Sequence, residues 1–477
     1  MSAVTAATPA GALAPRGCLF DPDGGSQHGL PEHLEFHCAT ALALDGAYSA
    51  AMSPDGRHLY VGSFNGDSLT TFVRNRTTGV LGQPALTQDA CIVLVRVTSP
   101  CTSGTALFGP SSVVVSPDGR NVYVSAFYGN SVVGFAREAG SGRLTQIGCL
   151  SLGVEYEDDG CEFGRALYGP GGIALSPDGR HVCVAATGEG AIVVLARDRA
   201  TGALRSLAHQ DACIHSVQVD ETGAAGVPAD CRAGVAIAVP TAVAVSPDGK
   251  HVYATAFGSN AVAAFARDAS TGRLRQLTGA AGCVSEDGTA GLYGQPGNCA
   301  DGRNITGAFG VTVSPDGRNV YVATGFDIRH DSFDPFAASG VAAFTRDAAT
   351  GRVRQLPGRT GCISQSGSGG LCADGRALEG AQSVTVSPDG RNVYIAGAAN
   401  DAIAIFAREA NGRLRQLAAR AGCVSEDGDQ GCGQAPGLDG VSAIAVPKDG
   451  KHVYAPSYFS SAVAMFSRTP APRRAGR

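Results

Sequence analysis

Tryptophan is absent from the 477 residues, and aromatic residues make up only 6% of them. With so few bulky rings, the interior must be filled by Val, Ala, Leu and Ile in thin layers, which suits short strands and many turns. No run of about 18 apolar residues occurs, so no segment reads as a membrane-spanning helix. Neither sign of charge dominates: 37 Lys and Arg face 42 Asp and Glu, for a net charge of -5. Positive charge is concentrated only at Arg473, Arg474 and Arg477, so a nucleic-acid partner is not expected. G-x-S-x-G elbows, Walker loops, H-E-x-x-H helices and EF-hand loops are all missing, which removes the standard catalytic signatures. The opening MSAVTAATPAGALAPRG has neither a basic start nor a leucine-rich core, so it does not read as a secretory signal.

Glycine, by contrast, is plentiful at 66 residues, more than a helical bundle would tolerate. Much of it belongs to a repeat. The tetrapeptide SPDG begins at Ser53, Ser116, Ser176, Ser246, Ser314 and Ser387, and a degenerate PKDG begins at Pro447. Spacings of 63, 60, 70, 68, 73 and 60 residues leave room for four short strands per unit. An apolar strand precedes each turn, a strand usually centred on tyrosine follows it, a third usually ends near phenylalanine, and a segment such as TGRLRQL supplies the fourth. Pro-Asp-Gly combines a fixed φ with a residue that accepts positive φ, which makes a tight hairpin. The reading is an all-β, seven-bladed β-propeller with four antiparallel strands per blade, forming a single domain over residues 1–477.

The last unit ends at Arg468 without a fourth strand. Gly11 to Cys18 repeats the seven-residue spacing of Gly142 to Cys149. Residues 10–16 are therefore expected to complete the last blade from outside, closing the ring and removing open edges. Residues 469–477 are left as a flexible tail.

Fifteen cysteines carry the next signal. Cys38, Cys101, Cys161, Cys231, Cys299, Cys372 and Cys432 each stand 15 residues before the next turn motif. Cys18, Cys91, Cys149, Cys213, Cys283, Cys362 and Cys423 precede them by 20, 10, 12, 18, 16, 10 and 9 residues. These spacings lack a C-x2-C knuckle and no histidine keeps step, so seven local disulfides are expected rather than zinc sites. Each would contribute about 2–3 kcal/mol by restricting the unfolded chain. Such bonds imply an oxidising compartment, and hence a protein exported to periplasm or medium. Cys183 occupies the slot of the repeating tyrosine and reads as a buried thiol.

Function belongs where the repeats diverge. With the first strand lining the channel, the disulfide loops and the turns between second and third strands share one face. Eight residues before each turn motif stand Asp45, Phe108, Tyr168, Ala238, Thr306, Glu379 and Asp439. Asp45, Glu379 and Asp439 come from adjacent blades and could converge to bind a divalent cation, calcium first, or to raise one pKa for acid/base work. The alternative is three solvated carboxylates beside the turns at Gly46, Gly380 and Gly440. Nothing else in the sequence asks for a cofactor. Five residues before the motif, Tyr48, Ser111, Gly171, Thr241, Phe309, Gln382 and Ser442 should line the channel mouth.

Blade 5 carries an insertion, Phe326 to Phe336, between its second and third strands. There His330 could act as a base beside Asp331, with Arg329 holding an anion, or the loop could simply pack down on its aromatics. His28, His33 and His37 in the first disulfide loop are spaced too loosely for a convincing metal site, and His58, His181, His251 and His452 are structural by position. Arg165, Arg303 and Arg376 each follow a second cysteine by four residues, as loop braces or as anion contacts.

SPDGRNVYVSAF, SPDGKHVYATAF and AVAAFARDASTGRLRQL resemble the seven-bladed lactonase-type propellers, which include 6-phosphogluconolactonase-like and carboxymuconate-lactonizing proteins. The paired cysteines resemble those of exported bacterial relatives. The resemblance implies hydrolysis or isomerisation of a small cyclic ester or carboxylate at the loop face. His330, Asp331, Arg329 and Glu379 would be catalytic, and Tyr48, Phe309, Gln382 and Arg376 would touch substrate. Alternatives are a non-catalytic exported propeller that binds a glycan, peptide or envelope partner, and a cyclase or tailoring enzyme of secondary metabolism. A closed ring of this kind is expected to work as a monomer.

Overall fold

The computed structural model describes residues 8–23, 38–84, 89–94, 100–153, 160–219, 225–226, 228, 230–289, 299–325 and 339–470. Seven blades surround a central channel. Blade 2 shows the plan: Pro110–Val115 is innermost, followed outward by Asn121–Ala126, Ser131–Arg137 and Leu144–Ser151. A further strand, Glu162–Phe163, pairs parallel to the fourth. Most blades break the fourth strand in two, as at Leu274–Gln276 and Cys283–Ser285 in blade 4. Sheets therefore run from four strands in the closing blade to five or six elsewhere around the ring.

The second and third strands are buried on both sides, and each of the seven larger apolar clusters draws on two neighbouring blades. Tyr60 and Leu69 of blade 1 pack with Val122, Val124 and Phe135 of blade 2. Burial on both sides explains near-continuous apolar runs such as Ser131–Arg137 in place of strict alternation.

Leu13–Phe20 closes the ring, pairing antiparallel with Ala462–Arg468 from Leu13↔Arg468 to Phe20↔Ala462. This strand begins later and runs longer than the expected 10–16. Of the expected tail, residues 471–477 lie outside the described residues.

All seven expected disulfides form: 18–38, 91–101, 149–161, 213–231, 283–299, 362–372 and 423–432. Cys18 and Cys38 are direct register partners across the parallel outer pair, so the bond staples the two outermost strands of the blade. Cys183 is free and buried, and burial pushes its thiol up to about 12.

At the opposite face the Pro-Asp-Gly turn is held by its own side chains. Ser53 Oγ donates to Asp55 Oδ1 at 2.6 Å and accepts from the His58 amide at 2.9 Å. Gly56 there has φ +68°, open to glycine at no steric cost.

The aspartate of this turn also faces the next blade. Arg137, the last residue of the third strand in blade 2, donates from Nε to Tyr60 Oη at 2.8 Å and from Nη2 to Asp55 at 2.8 Å. Nη2 also lies 2.7 Å from His58 Nδ1, and Nη1 donates to the Gly119 carbonyl at 2.9 Å. Arg74, Arg197, Arg267, Arg346, Arg408 and Arg468 repeat the arrangement around the ring. The four turn histidines belong to these sockets. Burial and then the arginine charge hold His58 and His181 down to about 4, so their Nδ1 atoms accept as neutral rings. Burial opposes the charge on Asp55, but bonds from Ser53, Arg137 and Arg57 outweigh it and hold this carboxyl near 2.

Blade 3 departs once. Cys183 stands where tyrosine would receive the next arginine, and Arg267 Nε is buried without a hydrogen-bond partner. Tyr253→Phe should reproduce this condition for Arg346, whose Nε donates to Tyr253 Oη at 2.9 Å. Loss of that acceptor should lower the unfolding free energy by about 1–3 kcal/mol, and calorimetry of wild type against Tyr253→Phe would measure it.

Candidate functional site

The innermost strands and the loop face enclose a cavity of about 990 Å³. All seven positions five residues before the turn motif line it: Tyr48, Ser111, Gly171, Thr241, Phe309, Gln382 and Ser442. Register alone locates them, because each inner strand begins at the same height around the axis. Several also tie neighbouring inner strands together. Ser111 Oγ donates to the Pro170 carbonyl at 2.7 Å, Thr241 Oγ1 to that of Phe309 at 2.8 Å, and Ser442 Oγ to that of Ala47 at 3.1 Å. Gln382 Nε2 donates to the Val441 carbonyl at 3.0 Å, so the nitrogen of this expected substrate contact is committed to the ring.

A second tier comes from the residue that follows each second strand: Phe64, Phe127, Thr187, Phe257, Gly325, Ala398 and Tyr458. Their sizes divide the cavity. On blades 7, 1 and 2 the rings form a continuous wall, with centroids 6.3 Å apart for Tyr48 and Tyr458, 5.7 Å for Tyr48 and Phe64, and 6.3 Å for Phe64 and Phe127. Tilted and edge-on pairs of this kind suit the ring quadrupoles. Blades 5 and 6 instead offer Gly325, Ala398 and Ala399, and this small-residue sector exposes carboxyl groups.

Glu379, Asp401 and Asp439 are those groups. The Glu379 amide donates to Asn400 Oδ1 at 2.8 Å, and Asn400 Nδ2 donates to Glu379 Oε2 at 2.9 Å, so the side chain is held in place. Asp401 accepts the Gly440 amide at 2.8 Å through Oδ1 and is hydrogen-bonded to Asp439. Burial raises the Asp401 pKa to about 7; the Gly440 amide opposes the rise, while Asp439 and Glu426 add to it. Two adjacent carboxyls sharing a proton behave in this way, since both cannot ionise cheaply.

Asp401 was not singled out from the sequence. It fills a slot before the third strand that Asp67, Asn130 and Asn260 fill elsewhere, each accepting an amide of the next blade at 2.8–2.9 Å. Its periodicity reads as structure, and only the neighbouring Asp439 makes it chemical.

The remaining candidates fall elsewhere. Asp45 lies off the cavity lining, with a buried Oδ1 that has no hydrogen-bond partner and a pKa raised by burial and by Asp21. Among the described residues no three His, Cys, Asp or Glu side chains are gathered to hold a metal ion, and of the expected cation ligands Glu379 and Asp439 line the cavity while Asp45 does not. Arg376 is spent as a brace, with Nη2 donating to the Ala419 carbonyl and Nη1 to that of Gln430 at 3.3 Å. Arg165 and Arg303 cap carbonyls of the following blade in the same manner, at Leu207 and Leu356. Arg329, His330, Asp331 and the rest of the blade 5 insertion lie outside the described residues, as do His28, His33 and His37. The residues flanking that insertion, Gly325 and Ser339, both line the cavity.

The family described as Lactonase, 7-bladed beta-propeller matches residues 92–221, from blade 1 into blade 3. Comparison with curated proteins gives no match. Among solved structures, the chain is similar to a candidate 6-phosphogluconolactonase of Bacteroides fragilis at 17% identity, covering 86% of this chain and 94% of that one with TM-score 0.53. A second candidate 6-phosphogluconolactonase, from Bacteroides uniformis, gives 17% identity, coverages of 77% and 82%, and TM-score 0.50. Kuenenia stuttgartiensis hydrazine synthase gives 18% identity, coverages of 89% and 96%, and TM-score 0.54. At these identities the likeness is one of fold, and names this different on one ring carry no substrate.

The pair has a signature in solution. Between the ordinary 3.8 and about 7, the folded protein keeps a proton that the unfolded chain releases. Its contribution to stability is therefore present below this window and lost as pH rises through it. Asp401→Asn keeps an acceptor for Gly440 and removes the ionisation, so its melting temperature should fall less than that of wild type between pH 5 and 8. Differential scanning calorimetry across that range checks this; Asp67, pushed up to about 6 by burial, keeps its own slope in both proteins.

Proposed function

We propose that the chain is a lactonase-type enzyme that hydrolyses a small cyclic ester at the channel mouth. The observation that carries this reading is the hydrogen-bonded Asp401–Asp439 pair on the wall of a cavity of about 990 Å³. A carboxyl whose pKa lies near 7 is suited to hold and release a proton at neutral pH. Asp439, as carboxylate, takes a proton from a water molecule while the water oxygen bonds to the lactone carbonyl carbon. The ring carbon–oxygen bond then breaks, and Asp401 gives its proton to the departing ring oxygen. An open-chain hydroxy acid results, and the proton now on Asp439 passes back to Asp401 or to solvent. Tyr48 and Phe309 contribute faces for the ring to rest on.

The family match over residues 92–221 supports the lactonase class, and the seven disulfides support an oxidising compartment, hence an exported protein. The insertion bearing Arg329, His330 and Asp331 leaves the chain at Gly325 and rejoins it at Ser339, both on the same wall, which makes these three side chains further candidates for the chemistry.

A non-catalytic reading draws on Tyr128, Tyr168 and Phe163, which are 50%, 49% and 67% exposed at blades 2 and 3, where a glycan would stack. Proton release from neutral γ- and δ-lactones separates the two. Turnover should be measurable for wild type and fall by about 100-fold or more in Asp439→Asn and Asp401→Asn. Folded protein that turns over no lactone, or variants that retain full rate, would remove the hydrolytic reading.

A further inference from the structure

The chemistry of the cavity wall limits the charge of whatever enters it. Glu379, Asp401 and Asp439 are the ionisable acids on its described lining, and that lining holds no Lys, Arg or His. The aromatic arc abuts this acidic sector directly: Phe459 packs over Gly440, the neighbour of Asp439, and the Tyr458 amide donates to the Gly440 carbonyl at 3.0 Å. Ring faces and carboxylates both attract positive charge, and their effects add. Phosphate or carboxylate on a ligand would meet no side chain of opposite charge on the described lining.

We infer that the cavity takes a small ligand bearing a cationic group, an ammonium or quaternary ammonium seated between the Tyr458–Tyr48–Phe64 rings and the carboxylates of blades 6 and 7, and that it disfavours phosphorylated compounds. In placing the ligand at this cavity the inference rests on the reading above, but it concerns charge selection and not turnover.

Titration calorimetry of the full-length oxidised protein with choline and with 3,3-dimethyl-1-butanol tests it, since the two share a shape and differ in charge. Choline should bind about tenfold more tightly or better. Phe64→Leu, which keeps an apolar side chain, and Glu379→Gln, which keeps the acceptor for Asn400, should each weaken choline about fivefold. Each should weaken the uncharged alcohol less than it weakens choline. Equal affinity for the two compounds, or no binding of choline, overturns the inference. Tighter binding of 6-phosphogluconate overturns it too. Choline binding without lactone turnover removes hydrolysis and keeps charge selection, whereas turnover of neutral lactones without a choline preference does the reverse.

Discussion

Each blade is held to its neighbour by one buried arginine, and the rest of the ring depends on how completely that guanidinium is satisfied. A buried cation is tolerable only when its donors find partners. Arg137 meets this condition with Tyr60, Gly119, Asp55 and His58, three of which belong to the preceding blade. The tyrosine hydroxyl in turn donates across the blades, as Tyr60 does to the Gly142 carbonyl at 2.9 Å. At the closure the same chain of contacts needs the N-terminal segment, because Tyr394 donates to the Gly11 carbonyl at 3.0 Å while accepting from Arg468. The first strand is thus part of the last socket as well as of the last sheet.

This construction divides the molecule by face. The Pro-Asp-Gly face is close to saturated: serine, aspartate, histidine or asparagine, and arginine are held by fixed partners, and where the repeat varies, as at Cys183, a donor such as Arg267 Nε is left without one. On the other face the disulfides secure the outermost strands and arginines such as Arg165 and Arg303 brace the loops between blades. With the loops held from outside, the inner rim is free to differ from blade to blade. Aromatic rings fill it on blades 7, 1 and 2, and glycine and alanine leave it open on blades 5 and 6.

The two faces also titrate in opposite directions. In the sockets, aspartates are held low and histidines are kept neutral, so their stabilisation is lost as pH falls. At the rim, Asp401 and Asp67 are raised, and their contribution is lost as pH rises. Asp401, withdrawn from water on the cavity wall, carries this cost at the place where a ligand could use it, and such raised titrations gather at functional sites.

Periodicity made most of the fold readable. The turn motif set the number of blades, the cysteine register set the seven disulfides, and counting five residues back from each turn reached the channel wall at all seven positions. The socket arginines were as periodic but passed unremarked, since a charged residue ending a strand reads as solvent-facing until its neighbour blade is in place. Of the acidic candidates, Glu379 and Asp439 reached the cavity and Asp45 did not, because equal position in the repeat does not fix how far each loop leans inward. Asp401 became chemical only through its contact with Asp439, 38 residues away in the sequence. Local turn chemistry and strand period are properties of a few adjacent residues, so the sequence by itself determined the blades, their closure and their staples. Which side chains share a proton, and which face of the channel is acid or aromatic, depends on distances between blades, and those only the closed ring decided.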